Sequence, residues 1–387
     1  MWRNIASNAL SFLVVLVFLF GGALIWAQSE YDTAGPLDQP ICLQVERGSN
    51  FRRVSDELVS QNAVSSGMLF RLGADYADKT SELKAGSFLV PEGASMSEIV
   101  EIVTRGGAST CGTEVVYRVG ITNASVQVRE LDPTTGRFEE IADFDPGADE
   151  APAEYTAVRE RADTRYRVAL AEGVTSWQVI EELKQVDVLE GDVEEIPAEG
   201  TLAPDSYEIQ PGDTIASLVE RMQRAQDLIL TQAWQDRAPG LPLESPEEAL
   251  ILASIVEKET GIPSEREQVA SVFINRLNEG MRLQTDPTVI YGITNGEGVL
   301  GRGLRQSELR AATPYNTYVI PGLPPTPIAN PGRASIEAAL NPDDAEYLFF
   351  VARTLDPSDG HVFAETLDEH NANVAAYRRL EAERANQ

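Results

Sequence analysis

Nineteen consecutive residues without a charge, 9–27 (ALSFLVVLVFLFGGALIWA), constrain this chain more than any other feature. As a helix rising about 1.5 Å per residue they nearly cross a hydrocarbon layer of roughly 30 Å. Arg3 precedes the run; Glu30, Asp32 and Asp38 follow it, and the next basic residue is Arg47. The excess of positive charge on cytoplasmic flanks makes 1–8 a cytoplasmic tail, 9–27 a transmembrane helix, and the rest of the chain external. In a bacterium that means a single-pass inner-membrane protein with its bulk in the periplasm. A cleaved signal peptide is the competing reading. Gly21-Gly22-Ala23 lies inside the apolar run, however, and Ile25 fits poorly at the −3 position of a cut after Ala27. Trp26 suits the outer membrane boundary.

The 387 residues carry 61 acidic and 31 basic side chains, a net charge of −30. Nucleic-acid binding needs a basic footprint, so that class is set aside; a neutral sugar polymer is not. His361 and His370 are the only histidines, and no CxxC pair exists, so neither a metal site nor a cofactor is expected. An oxidising compartment makes a Cys42–Cys111 disulfide available, stapling the first external module.

Residues 28–40 read as a polar linker. Beyond them two stretches share offsets. Gly48, Val54, Glu57 and Leu58 match Gly173, Val179, Glu182 and Leu183. The run Ser87-Phe88-Leu89-Val90-Pro91-Glu92-Gly93 matches Ser206-Tyr207-Glu208-Ile209-Gln210-Pro211-Gly212. Each copy reads as strand, Gly turn, amphipathic helix, twice over. Phe51, Val54 and Leu58 lie on one helix face, and Trp177, Ile180 and Leu183 on the other copy's. Such modules resemble LysM domains, whose ligands are N-acetylglucosamine polymers. Between the copies, residues 111–163 form an acidic, β-rich insertion with a turn at Asp132-Pro133-Thr134-Thr135-Gly136; a flexible stretch is expected at 143–154.

From Ser245 the pattern sharpens. Ser245 caps a helix, Pro246 occupies its first position, and Glu248 completes a capping box. The helix runs through ALILASIVEKET until Gly261 and Pro263. At about 100° per residue Glu259 shares a face with Leu252, Ile255 and Val256, while Glu257 points away. A carboxyl ending an apolar stripe gains a raised pKa, as a general acid requires. The plain alternative is a solvated glutamate in a last turn, a place where negative charge is unfavourable.

The runs at 252–293 (LASIVEKETGIPSEREQVASVFINRLNEGMRLQTDPTVIYGI), 311–342 and 347–371 resemble the endolytic murein transglycosylase family, also called YceG-like. The likeness is specific over 245–380 and looser over 41–110 and 164–235. It implies that Glu259, the second Glu of EKET, is the catalytic acid and that Glu257 supports it. It further implies cleavage of the β-1,4 bond between N-acetylmuramic acid and N-acetylglucosamine in nascent strands, leaving 1,6-anhydromuramyl ends. One carboxyl suffices for that reaction, where hydrolases need two. Asn275, Gln284, Thr285, Asp286, Tyr291, Tyr315, Asn316, Thr317 and Tyr318 become candidates to line the cleft. Each has a structural alternative: Asn275 as a brace, Asp286-Pro287 as a helix cap, the loop 321–331 as a rigid wall. His361 reads as a loop hydrogen-bonder. Glycan polymerases of the cell-wall machinery are the implied partners.

The expected architecture is α+β: a transmembrane helix, small LysM-like modules at 41–110 and 164–240 (the latter with a connecting helix), the insertion at 111–163, and a mixed catalytic domain at 241–387. A non-catalytic peptidoglycan-binding scaffold, for which Glu259 is dispensable, and a muramidase yielding reducing ends are the alternatives. A protease lacks any Ser/His/Asp or HExxH arrangement.

Overall fold

The computed structural model describes residues 2–385 apart from 106–108, 148–149, 160 and 162, with side chains from 12 onward. Helix α1 (Trp2–Asp32) is continuous, so the first part of the expected linker is helical. Its stretch Phe12–Asp32 has a mean hydropathy of 2.1, and its most apolar part buries nothing within the protein. The remainder forms two compact units. The first takes residues up to Val116 with Gln127–Phe144 and Glu150–Tyr166. The second takes Tyr117–Val126, a short piece from Asp145, and everything from Arg167.

In the first unit, β1 (Ile41–Val45), α2 (Phe51–Ser60), α3 (Gly67–Tyr76), β2 (Gly86–Val90) and α4 (Met96–Thr104) follow in order. β1 and β2 pair antiparallel, from Ile41 opposite Val90 to Val45 opposite Gly86. Polar caps start the helices: Asn50 accepts from the Arg53 N–H, Ser66 from Leu69, and Ser95 forms a capping box with Glu98. Phe51, Val54 and Leu58, spaced to share a face, enter one core with Leu43, Phe70, Phe88 and Ile99. Cys42 and Cys111 are joined as a disulfide with their Cα atoms 5.6 Å apart.

Next come β3 (Thr113–Val119), β4 (Ala124–Asp132), β5 (Arg137–Phe144), α5 (Ala153–Arg159), β6 (Arg165–Leu170), α6 (Ser176–Leu183), β7 (Ser206–Ile209) and α7 (Ile215–Gln235). The turn between β4 and β5 is held by the Asp132 carboxylate, which accepts from the Thr134 N–H at 2.8 Å and the Thr135 hydroxyl at 2.8 Å. The five strands form one sheet in the order β5-β4-β3-β6-β7. The 111–163 segment thus supplies β3, β4 and β5 to this sheet, followed by the short helix α5. The two copies use matching devices: Thr175 caps α6 with Gln178 in a capping box, and Thr214 caps α7. Trp177 is only partly buried; Val179 takes the interior place beside Ile180 and Leu183.

The rest of the second unit holds α8 (Pro246–Glu259), α9 (Arg266–Asn278), α10 (Asp286–Thr294), α11 (Gln306–Leu309), α12 (Arg333–Leu340), the hairpin β8 (Phe349–Ala352) and β9 (His361–Ala364), and α13 (Leu367–Ala385). Helix α8 is buried along eight consecutive positions, Ala249 to Val256. A helix apolar on all sides belongs at the centre of a domain. Leu252, Ile255 and Val256 join Phe273 of α9, Leu283, and Ile336 and Leu340 of α12 in one core.

The disulfide closes a sequence separation of 69 residues, for which chain entropy gives about 4 kcal/mol. Replacing both cysteines by serine is expected to lower hydrogen-exchange protection of β1 and β2 while leaving α8 unchanged. Unaltered exchange at β1 would show that the bridge adds nothing.

Candidate active site

Helix α8 ends at Glu259, and Thr260 is its C-cap, already extended. The Glu259 carboxyl is crowded by protein, yet the residue keeps partial access to solvent. Burial pushes the carboxyl pKa above its ordinary value. A hydrogen bond donated by the Thr285 hydroxyl opposes this, Asp286 adds to it, and the positive charges of His361 and Arg276 oppose it. The net direction is upward, so Glu259 holds its proton further toward neutrality than a free glutamate does.

A polar ladder holds Thr285 in place. Its N–H donates to the Thr317 hydroxyl at 3.1 Å, and Thr317 and Thr288 share a hydroxyl contact at 2.9 Å. The preceding Gln284 has φ +52, a left-handed backbone unusual outside glycine, and its N–H donates to the Thr317 carbonyl at 3.2 Å. This kink turns the chain so that Thr285 faces the end of α8. Asp286, exposed at the start of α10, accepts from the Tyr318 hydroxyl at 2.7 Å. The rings of Tyr291 and Tyr315 lie 5.0 Å apart, both partly exposed.

The candidate residues thus divide. Gln284, Asp286, Tyr291, Tyr315 and Tyr318 retain solvent access, and Thr285 acts on Glu259 directly. Asn275, Asn316 and Thr317 are braces. Asn275 donates to the Ala345 and Tyr347 carbonyls at 2.9 and 3.0 Å. Asn316, fully buried, donates to Glu308 and Ala311 carbonyls and accepts from the Tyr318 N–H. Thr317 is fully buried in the threonine ladder. Glu257 points away from Glu259 and accepts from the Gly332 N–H at 3.0 Å, capping α12 from the other side of α8. A recess of about 470 Å³ between α7, α9 and α12, lined by Arg266, Arg333 and Glu337 among others, contains none of the candidates.

A family model described as the YceG-like family matches residues 144–376. The chain belongs to the YceG-like family. Relatives named endolytic murein transglycosylase in Streptococcus pneumoniae (strain D39) and in Bacillus subtilis (strain 168) are each 28% identical, over 97% and 93% of this chain. The chain spans 66% of the length of the streptococcal relative and 91% of the bacillar one. A crystal structure of a putative yceG-like protein from Listeria monocytogenes is 25% identical, covering 87% of this chain and 99% of its own, with a TM-score of 0.45.

Three groups of this YceG-like chain escape a reading of the sequence. Glu199 is a second crowded carboxyl whose pKa burial raises; it accepts from the Ser176 N–H at 2.8 Å and the Tyr291 hydroxyl at 3.2 Å. Glu265, 8% exposed, takes the His361 N–H at 2.8 Å and lies 2.9 Å from its Nδ1. Arg276 is buried, donating to the Leu348 and Leu283 carbonyls at 2.7 and 2.5 Å. All three depend on segments far apart in sequence, and only the charge of each residue was visible beforehand.

Because the folded state holds the Glu259 proton more tightly than the unfolded chain, stability falls as pH rises from the ordinary glutamate range through the raised folded pKa. Glu259→Gln removes that penalty while keeping an acceptor for Thr285. The variant should unfold at a higher temperature than the parent at neutral pH, by something of order 1 kcal/mol, with the gain vanishing below pH 4 or so. A gain independent of pH would refute the raised pKa.

Proposed function

We propose that this chain is an endolytic peptidoglycan lytic transglycosylase whose acid and base are one residue, Glu259. The supporting observation is a carboxyl with a raised pKa, oriented by Thr285, at the end of a buried helix and beside partly exposed tyrosines. The names of the relatives point the same way. The substrate is a glycan strand cut at the β-1,4 bond between N-acetylmuramic acid and N-acetylglucosamine.

In the first step Glu259 gives its proton to the glycosidic oxygen, and the bond from that oxygen to the muramyl C1 breaks. The departing chain leaves as an alcohol, and positive charge spreads over C1 and the ring oxygen. Glu259, now a carboxylate, takes the proton of the muramyl C6 hydroxyl, and O6 bonds to C1. The products are a 1,6-anhydromuramyl end and a regenerated acid; water is not consumed. Arg276 and His361 ease the charged intermediate state of the carboxyl. Tyr291 and Tyr315 offer apolar faces and polar tips to sugar rings. Glu199 fixes the Tyr291 hydroxyl, and so the angle at which that ring meets the glycan. Helix α1 anchors the chain in the inner membrane with its amino terminus cytoplasmic, as Arg3 and the acidic residues after Gln28 favour. The strand–helix–helix–strand module of β1 to β2 serves as a LysM-like glycan contact. Glycan polymerases are the natural neighbours of an enzyme that ends nascent strands.

Purified protein in detergent, digesting peptidoglycan, should release anhydromuropeptides by mass spectrometry. Glu259→Gln should lose at least about 10³-fold in rate. Normal anhydro production by that variant overturns the assignment, and reducing ends in the parent digest would make the protein a muramidase.

Thr285→Val removes the bond that favours the charged form of Glu259. Its falling limb in the pH profile should therefore move to higher pH, with a lower kcat. Glu199→Gln should raise KM and leave that limb in place, since it acts on Tyr291 and not on Glu259. A shift of the limb in Glu199→Gln would mean that Glu199 tunes the acid.

A further inference from the structure

Four exposed large apolar side chains lie together on α2 and α3. Met68, Leu72 and Tyr76 recur every fourth residue along α3 and are 65%, 59% and 93% exposed. Val59 of α2, 48% exposed, adjoins them at the start of α3, where a Cβ on Gly67 would lie 3.2 Å from its Cγ2. At about 100° per residue the stripe is centred opposite Phe70 and Ala74, the buried face of α3. Single exposed apolar residues are ordinary, but a continuous stripe on one helix is a surface meant to be covered.

Its position relative to α1 identifies the cover. The Tyr31 ring lies directly on Gly73 of α3, leaving no room there for a Cβ. The Ser65 hydroxyl, just before α3, donates to the Glu30 carboxylate at 2.6 Å. The last turn of α1 is thus fastened to the flank of α3. The apolar run ends at Ala27, so Tyr31 stands four residues, or about 6 Å, beyond the hydrocarbon. The headgroup region on each side of a bilayer is about 5–7 Å deep. Helix α3 is therefore held at the level of the headgroups.

We propose that the stripe Val59, Met68, Leu72 and Tyr76 docks on the lipid surface of the bilayer that α1 crosses. The composition fits a shallow seat. Tyrosine favours the interface, and Asp75, exposed about 20° around the helix from Met68 at the edge of the stripe, keeps its carboxylate among headgroups and out of the hydrocarbon. Burial of these side chains adds an interfacial contact to the anchor and keeps the first unit from swinging on α1. The inference rests on α1 spanning the membrane.

The test uses the full chain, with its disulfide intact, in liposomes of phosphatidylethanolamine and phosphatidylglycerol. Single cysteines at Leu72→Cys, Val14→Cys on α1 and Leu228→Cys on α7 carry nitroxide labels. Accessibility to oxygen and to a water-soluble nickel chelate is then compared. Leu228 is 67% exposed and supplies the aqueous reference. The label at 72 is expected to show an oxygen-to-nickel ratio several-fold above that at 228 and below that at 14. A ratio at 72 equal to that at 228, with 14 protected, overturns the docking and leaves the anchor standing. A water-accessible label at 14 overturns both. Spin–spin broadening at 72 that disappears on dilution with unlabelled protein assigns the stripe to a second copy, and also overturns the lipid contact.

Discussion

A carboxyl held where it should not be organises the second unit. Glu259 sits in the last turn of α8, where the helix's own carbonyls repel negative charge, and protein crowds it on most sides. Asp286 adds a further repulsion. Left alone, such a group would simply stay protonated and inert. Three separate segments counter this. The loop before α10 supplies the Thr285 hydroxyl, α9 the Arg276 charge, and the β8–β9 hairpin His361. Each of these is itself secured. Thr285 leans on Thr317, Arg276 on two carbonyls, and His361 on Glu265. The packing of α8, α9, α12 and the hairpin therefore sets the proton affinity of one oxygen pair.

Much of this was legible before the fold was known, for definite reasons. Helix α8 announces itself through Ser245, Pro246 and an apolar run, because capping and burial are local in sequence. The different fates of Glu257 and Glu259 follow from helical rotation alone: Glu257 reaches the Gly332 N–H and Glu259 the Thr285 hydroxyl. What the residues could not disclose is which polar side chains face inward. Tyr315, Asn316, Thr317 and Tyr318 form one polar run, yet the two central residues are fully buried braces and the outer two keep solvent access. In irregular chain no period of 2 or 3.6 separates the faces. Glu199 and Glu265 were illegible for a related reason. A carboxylate is exposed by default, and only tertiary partners reveal one that is not.

The 111–163 segment illustrates the same limit at a larger scale. Alternating β-branched and polar residues identified strands, and Asp132 identified the turn. Strand pairing is non-local, however, and the order β5-β4-β3-β6-β7 puts β3 next to β6. Composition marks the segment as an acidic, β-rich insertion but says nothing of which strands it pairs with. Buried Glu114 shows how such charge enters a sheet: it is paired with Arg129 and, at 3.3 Å, with Arg165, so the acid is neutralised where it is covered.

Under the proposed reaction, the elevated proton affinity of Glu259 serves both halves of the cycle. An acid whose pKa is too low is already ionised and has no proton for the glycosidic oxygen. A base whose pKa is too low cannot draw the proton from the C6 hydroxyl. Enzymes with two carboxylates separate these tasks by giving the groups different surroundings. A single carboxyl has to be poised between them, and burial alone would overshoot by leaving no tolerable ionised state. The hydroxyl of Thr285 and the charges of Arg276 and His361 supply that state, while crowding and Asp286 keep it costly. Opposing influences of this kind are what a bare solvated glutamate at a helix end lacks, and they distinguish Glu259 from Glu257 on the same turn of the helix.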